Sequence, residues 1–262
     1  MGTVAAISGK PELFRLKHFD VAIIDEATQI LEPQLLGILC ARGEDGKDAI
    51  DKFVLIGDHK QLPAVVQQNT EQSAIYDESL LSIGLTNLKD SLFERLYRNC
   101  TATVHRSYDM LCRQGRMHPE VALFANRAFY GGRLIPVGLP HQIESSDTIC
   151  RLAFYPSVPE KVGASAKINY SEARIVADLA VRIYEDHQAD FDESRTLGII
   201  TPYRSQIALI KKEIESLGIP ALNRILVDTV ERFQGSERDV IIYSFCAVSY
   251  THLRAHETRG NL

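Results

Sequence analysis

Two adjacent carboxylates, Asp25 and Glu26, end a short apolar run, Val21-Ala22-Ile23-Ile24. Continuous apolarity over so few positions predicts a strand covered on both faces, as in a parallel sheet, with a buried helical segment as the alternative. Such a strand delivers the acid pair to its C-terminal edge, where open α/β sheets bind ligands. There one carboxylate suits a divalent cation held through its water shell, and the other suits orienting and polarising a water that attacks a phosphate. The pair is equally compatible with an acidic strand end ahead of a helix N-terminus, where the helix dipole favours negative charge. A second run, Phe53-Val54-Leu55-Ile56, ends in Gly57-Asp58 and leads into His59-Lys60-Gln61-Leu62-Pro63-Ala64. The Gln61 amide could sense a phosphate or a water from a neighbouring strand tip. An ordinary Gly-Asp turn explains the same residues.

The elements needed to position these groups recur along the chain. Leu197-Gly198-Ile199-Ile200-Thr201 has the same strand character. A helix is expected after Ser205, with Ile207, Ile210, Ile214 and Leu217 on one face and Gly218 as the stop. Another begins near Asn169, which forms a capping-box pattern with Glu172 and places Ile175, Val176, Leu179 and Ile183 on one stripe. Strands alternating with helices imply an α/β fold. Residues 42–51 and 67–90 read as surface insertions, and 136–167 as a further interruption.

The 262 residues are 45% hydrophobic and 24% charged, an ordinary globular composition, and the net charge of -5 argues against a protein that coats polyanions indiscriminately. The five cysteines are scattered with no CxxC pair, which suggests packing thiols in a reducing cytoplasm rather than a zinc ribbon or disulfide framework. His59, His105, His118 and His141 share no metal-ligand spacing. No membrane span or signal peptide is visible.

Taken together, Asp25-Glu26-Ala27-Thr28-Gln29 and Gly57-Asp58-His59-Lys60-Gln61-Leu62-Pro63 resemble motifs II and III of superfamily 1 helicases. Gln114-Gly115-Arg116-Met117-His118-Pro119 resembles the Q-Y-R-M-H-P motif of the branch containing the nonsense-mediated-decay helicase and the replication helicase-nuclease. Residues 227–237, followed by Asp239-Val240-Ile241-Ile242, resemble its motif V. The resemblance implies an α/β fold of two RecA-like domains with mostly parallel sheets, 1–108 and 109–247, both incomplete. It implies an enzyme that couples ATP hydrolysis to movement on single-stranded DNA or RNA, in the 5′-to-3′ direction.

Site roles follow from the same resemblance. Asp25 would hold Mg²⁺ through water, Glu26 would activate the attacking water, Gln61 would sense the γ-phosphate, and Arg116 would act as an arginine finger. Gln29, Gly57, Asp58, Arg204, Gly235 and Glu237 would serve the nucleotide, and Thr201, Tyr203 and Thr229 the nucleic acid. The competing readings are a capping arginine at 116, a helix cap at Ser205 and a plain turn at Gly235. Gly115 departs from the family's aromatic residue.

A phosphate-cradling G-x-x-x-x-G-K-[ST] loop is missing: Gly9-Lys10 is followed by Pro11, and Gly46-Lys47 by Asp48. Residues 249–262 show nothing like the family's motif VI. The chain is therefore expected to be an internal fragment, itself inactive. Residues 248–258 resemble a translated transposase sequencing adaptor, so 248–262 are expected to be a non-native tail. The alternatives are a P-loop ATPase remodelling a partner other than nucleic acid, and a non-catalytic nucleic-acid-binding module.

Overall fold

The computed structural model describes residues 1–103, 107–143, 151–157 and 167–246. It divides into two compact units, Met1–Arg151 and Leu152–Leu262. Residues 109–151, read from sequence as the start of a second domain, group with the first unit. Ala247 and the tail beyond it lie outside the described residues, as does His105.

The first unit runs α1 (Val4–Ser8), α2 (Glu12–Leu16), β1 (Phe19–Ile24), α3 (Glu32–Leu39), β2 (Ile50–Leu55), α4 (Glu78–Ser82), α5 (Leu92–Thr103), β3 (Arg113–Gln114), α6 (Pro119–Phe129), β4 (Ile135–Pro136) and α7 (Pro140–Ile143). β1 and β2 pair in parallel, with Phe19 opposite Ile50 and Ile24 opposite Leu55. One face of this pair packs inward: Ile24 meets Ala27, Leu35 and Leu92, while Ala22 and Phe53 pack on Phe14, Ile38, Ala49 and Ile50. The alternation of a strand sends Val21, Ile23, Val54 and Ile56 the other way, and they stay 47%, 67%, 45% and 45% exposed. The expectation of cover on both faces thus fails for these strands. An unbroken apolar run shows what each face is made of, not whether another element lies over it.

The stretches read as surface insertions are partly internal. Ala49 and Ile50 are core residues, and Ser73, Leu85 and Asn87 are buried, with the Asn87 amide donating to the Thr70 carbonyl at 2.8 Å. A buried ion pair ties α5 to α3: Arg95 Nε donates to Glu32 Oε2 at 2.8 Å, its second nitrogen contacts Oε1, and its third donates to the Ile83 carbonyl at 2.9 Å.

The second unit contains α8 (Tyr170–Asp186), β5 (Leu197–Ile200), α9 (Arg204–Ser216), β6 (Leu226–Asp228), α10 (Val230–Phe233) and β7 (Val240–Tyr243). Its three strands are parallel in the order β6-β5-β7. Here β5 is central and its Leu197 and Ile199 are fully buried, as expected of a parallel-sheet strand.

In α8 the most buried stripe is Ala173, Val176, Ala177 and Ala180, rotated from the expected one, with Ile175 and Leu179 half-buried. Alanines let the backbone of α8 approach α9 closely, so bulk at neighbouring positions is turned aside. Asn169 caps α8 as expected, its Oδ1 accepting from the Glu172 amide at 2.9 Å. The other half of the expected capping box is replaced. The Asn169 amide donates to Gln206 Oε1 at 2.9 Å, and Glu172 instead accepts from Ser244 Oγ at 2.9 Å and from the Cys246 amide at 3.0 Å. Ser205 is not the cap of α9: Tyr203 holds that position, and the Ser205 hydroxyl donates to the Lys167 carbonyl.

Cys40, Cys100, Cys112 and Cys246 are free thiols. Burial, with the Glu172 carboxylate nearby, pushes the Cys246 thiol up to about 12, which suits a packing role. Among the described residues no helix is long and apolar enough to cross a membrane.

Candidate functional site

The parallel pairing of β1 and β2 sets their C-terminal tips side by side. The Ile56 amide donates to the Ile24 carbonyl at 2.8 Å, and the Ala27 amide donates back to the Ile56 carbonyl at 2.7 Å. Asp25 and Glu26 therefore emerge, exposed, beside Gly57 and Asp58. Gly57 is required by this fit: a β-carbon there would lie 3.0 Å from both the amide nitrogen and Cγ2 of buried Thr28.

Hydrogen bonds fix each polar group at this edge. Asp25 Oδ1 accepts from the Glu26 amide at 2.9 Å, and Gln29 Nε2 donates to Glu26 Oε2 at 2.9 Å. Asp58 folds its loop in the same manner, Oδ1 accepting from the Lys60 amide and Oδ2 from Gln61 Nε2, both at 3.0 Å. Oδ2 also accepts from the Tyr130 hydroxyl at 2.6 Å. His59 stacks on Tyr97 at 4.3 Å between ring centroids, and Tyr97 meets Tyr108 edge-on. Burial, helped by Lys60, lowers the pKa of His59.

Arg116 lies exposed in the same unit, on a loop between β3 and α6 that is tied at both ends. Gln114 donates to the Met117 carbonyl at 2.7 Å and accepts from its amide at 2.8 Å. Gln142, buried on α7, donates to the carbonyls of Gln114 and Met117 at 3.0 and 3.1 Å. His118 caps α6, its Nδ1 accepting from the Glu120 amide, and Pro119 takes the first helical position. At Gly115, where the family has an aromatic ring, a β-carbon would meet Leu139 at 3.3 Å and Val137 at 3.5 Å. Those two side chains occupy the space the ring would need.

In the second unit, Thr201, Tyr203, Arg204 and Thr229 gather at the C-terminal edge of the sheet. The Thr201 amide donates to the Asp228 carbonyl at 3.2 Å, and the Thr229 amide to Asp228 Oδ1 at 2.8 Å. Thr201 is fully buried, and its hydroxyl has no hydrogen-bond partner among the described residues. Arg204 is exposed at the start of α9. Gly235, with φ 80°, and Glu237 are exposed on the crossover that returns the chain from β6 to the beginning of β7.

Tyr130 and Gln142 lie outside the motifs read from the sequence, and Thr28 and Gln206 received no role of their own there. Three of them act through the backbone or by packing, and Tyr130 through the side chain of Asp58, far from it in sequence. Elsewhere, a cleft of about 810 Å³ is lined by residues including Phe14, His18, Arg42 and Asp51. Beside it the exposed side chains of His18, Asp20 and Asp51 bring ligand atoms within 4.8 Å of one another. Both features lie by the N-terminal ends of β1 and β2, away from Asp25.

Two family models described as AAA domains match this chain, over residues 2–69 and 88–255. The DNA replication ATP-dependent helicase/nuclease DNA2 of Xenopus laevis is 31% identical over 89% of this chain and 22% of its own length. The probable helicase senataxin of Mus musculus is 28% identical over 93% of this chain and 8% of its own. The probable helicase MAGATAMA 3 of Arabidopsis thaliana is 31% identical over 87% of this chain and 26% of its own. The chain thus spans about a quarter or less of the length of each of these relatives.

Proposed function

Because the chain belongs to the AAA-domain superfamily 1 helicases, in the branch of the replication helicase-nuclease and senataxin, we propose that it is part of an ATP-dependent helicase acting on single-stranded DNA or RNA. The observation that carries this reading is the abutment of two strand tips, which seats Asp25 and Glu26 at the same edge as Asp58 and Gln61. An exposed carboxylate at the C-terminal edge of a parallel sheet fits Mg²⁺, a hard cation that keeps most of its waters. Bound with ATP at Asp25, that ion would neutralise charge on the phosphates. The chain's own part is to orient and deprotonate. Glu26, its carboxylate steadied by Gln29, accepts the proton of the attacking water, and Gln61, held by Asp58, aligns water and phosphate.

Arg116, exposed on its tied loop, presents a guanidinium of permanent charge to the γ-phosphate. Arg204, Gly235 and Glu237 serve the nucleotide, and Thr201, Tyr203 and Thr229 the strand, with movement 5′-to-3′. The functional boundary between two RecA-like domains falls at residues 108/109, ahead of the arginine loop. Free cysteines suit a reducing, cytoplasmic setting.

No phosphate-cradling loop occurs among these residues, so the grip on the remaining phosphates comes from another part of a longer protein. The test is Mg²⁺-dependent ATP turnover of the full-length gene product with and without single-stranded DNA or RNA. Turnover should rise with one of the strands, and the chain by itself should show none. Indifference to both strands would favour a partner other than nucleic acid, and robust stimulated turnover by the chain alone would overturn the division of labour.

A further inference from the structure

Tyr130 caps the C-terminus of α6, the helix whose first residues continue the arginine loop through His118 and Pro119. One rigid helix therefore links the loop of Arg116 to the phenol that reaches Asp58. The Tyr130 hydroxyl donates to Asp58 Oδ2 at 2.6 Å, a length typical of a hydroxyl bonded to an ionised carboxylate. The same oxygen accepts from the Gln61 amide at 3.0 Å, so the phenol and the amide share one anchor.

Burial first, then the bond to Asp58 and its charge, raises the phenol's pKa far above its usual range, keeping it a donor. The turn behind it is pinned. Asn126 exchanges two hydrogen bonds with the backbone of Leu134, at 3.0 and 2.9 Å, and Gly131 and Gly132 take φ values of 60° and 74° that permit the tight return. Tyr130 is thus fixed from both sides.

We propose that Tyr130 is a positioning residue that orients Asp58, and through it the Gln61 amide, for the hydrolytic step. This rests on the helicase reading above. Without the hydroxyl, Asp58 loses its shortest hydrogen bond and Gln61 its defined rotamer, while Glu26 and the nucleotide residues Arg204, Gly235 and Glu237 are untouched. The cost therefore falls on turnover rather than on nucleotide affinity.

The experiment uses the full-length gene product with Tyr130→Phe, Gln61→Ala and the double variant, reading strand-stimulated kcat, KM for ATP and thermal unfolding. Tyr130→Phe should lower kcat about 10- to 100-fold, the scale of a misplaced reacting group, with KM changed less than about twofold. The double variant should be no slower than Gln61→Ala, because both changes remove the same aligned amide. Wild-type kcat in Tyr130→Phe, or losses that multiply in the double variant, would overturn the proposal. Should Tyr130→Phe melt early, rates scaled to the fraction binding an ATP analogue still report whether the two losses multiply. Absence of stimulated turnover in the wild-type protein would sink the helicase reading itself, and this proposal with it.

Discussion

Glu26 holds a left-handed backbone, φ 51°, a conformation that costs an L-residue about 1–2 kcal/mol and that glycine or asparagine would adopt more cheaply. Strain kept at a position with a cheaper alternative points to the side chain as the reason. Glu26→Gln in the full-length protein keeps size and hydrogen bonding but loses the base, so kcat should fall while nucleotide affinity stays near wild type. Arg116→Ala should lower kcat about 10³-fold or more. Wild-type stimulated turnover in either variant would contradict the assigned role. Residue types were legible here because an acid pair, an amide and an arginine carry their chemistry in their names. The left-handed turn at Glu26 and the phenol at Tyr130 were not, since one depends on where the next strand lies and the other on a partner 72 residues away.

Among the elements, β5 shows how the sheet sets the geometry of the loop after α10. A β-carbon on Gly198 would lie 2.7 Å from Phe233 Cε1 and 3.0 Å from Arg238 Cγ. The missing side chain is what lets Phe233 bury its ring, and Gln234 and Gly235 follow directly. Gly198→Ala should destabilise the chain by about 1–3 kcal/mol, the usual cost of overpacking. Urea unfolding with an unchanged midpoint would refute that. Strand positions and the cap of α8 were legible from local patterns, because an asparagine acts within one helical turn, but α6 is capped by His118 rather than by an arginine at 116. The rotation of α8 was not legible, because three alanines rather than the larger aliphatics decided which face came closest. The Glu172 carboxylate went to Ser244 and Cys246 for a reason of the same kind, a partner supplied by the sheet.

For the whole molecule, an α/β chain with parallel sheets was legible from the alternation of runs, but the division after Arg151 was not, because residues 136–167 read as one more interruption and not as a boundary. The open side of the β1–β2 pair has a practical consequence. Val21, Ile23, Val54 and Ile56 form a contiguous oily strip in contact with water, and such strips adsorb whatever apolar surface is offered. The isolated chain should therefore light up an environment-sensitive dye such as anilinonaphthalene sulfonate in its native state and scatter more light as it is concentrated. Replacing Ile23 and Val54 together by Thr, which keeps β-branching and strand preference, should quench the dye signal and raise the concentration at which turbidity begins. Fluorescence and scattering indistinguishable from the parent chain's would mean that the strip is shielded in water, and that some other surface governs how this protein behaves in a test tube.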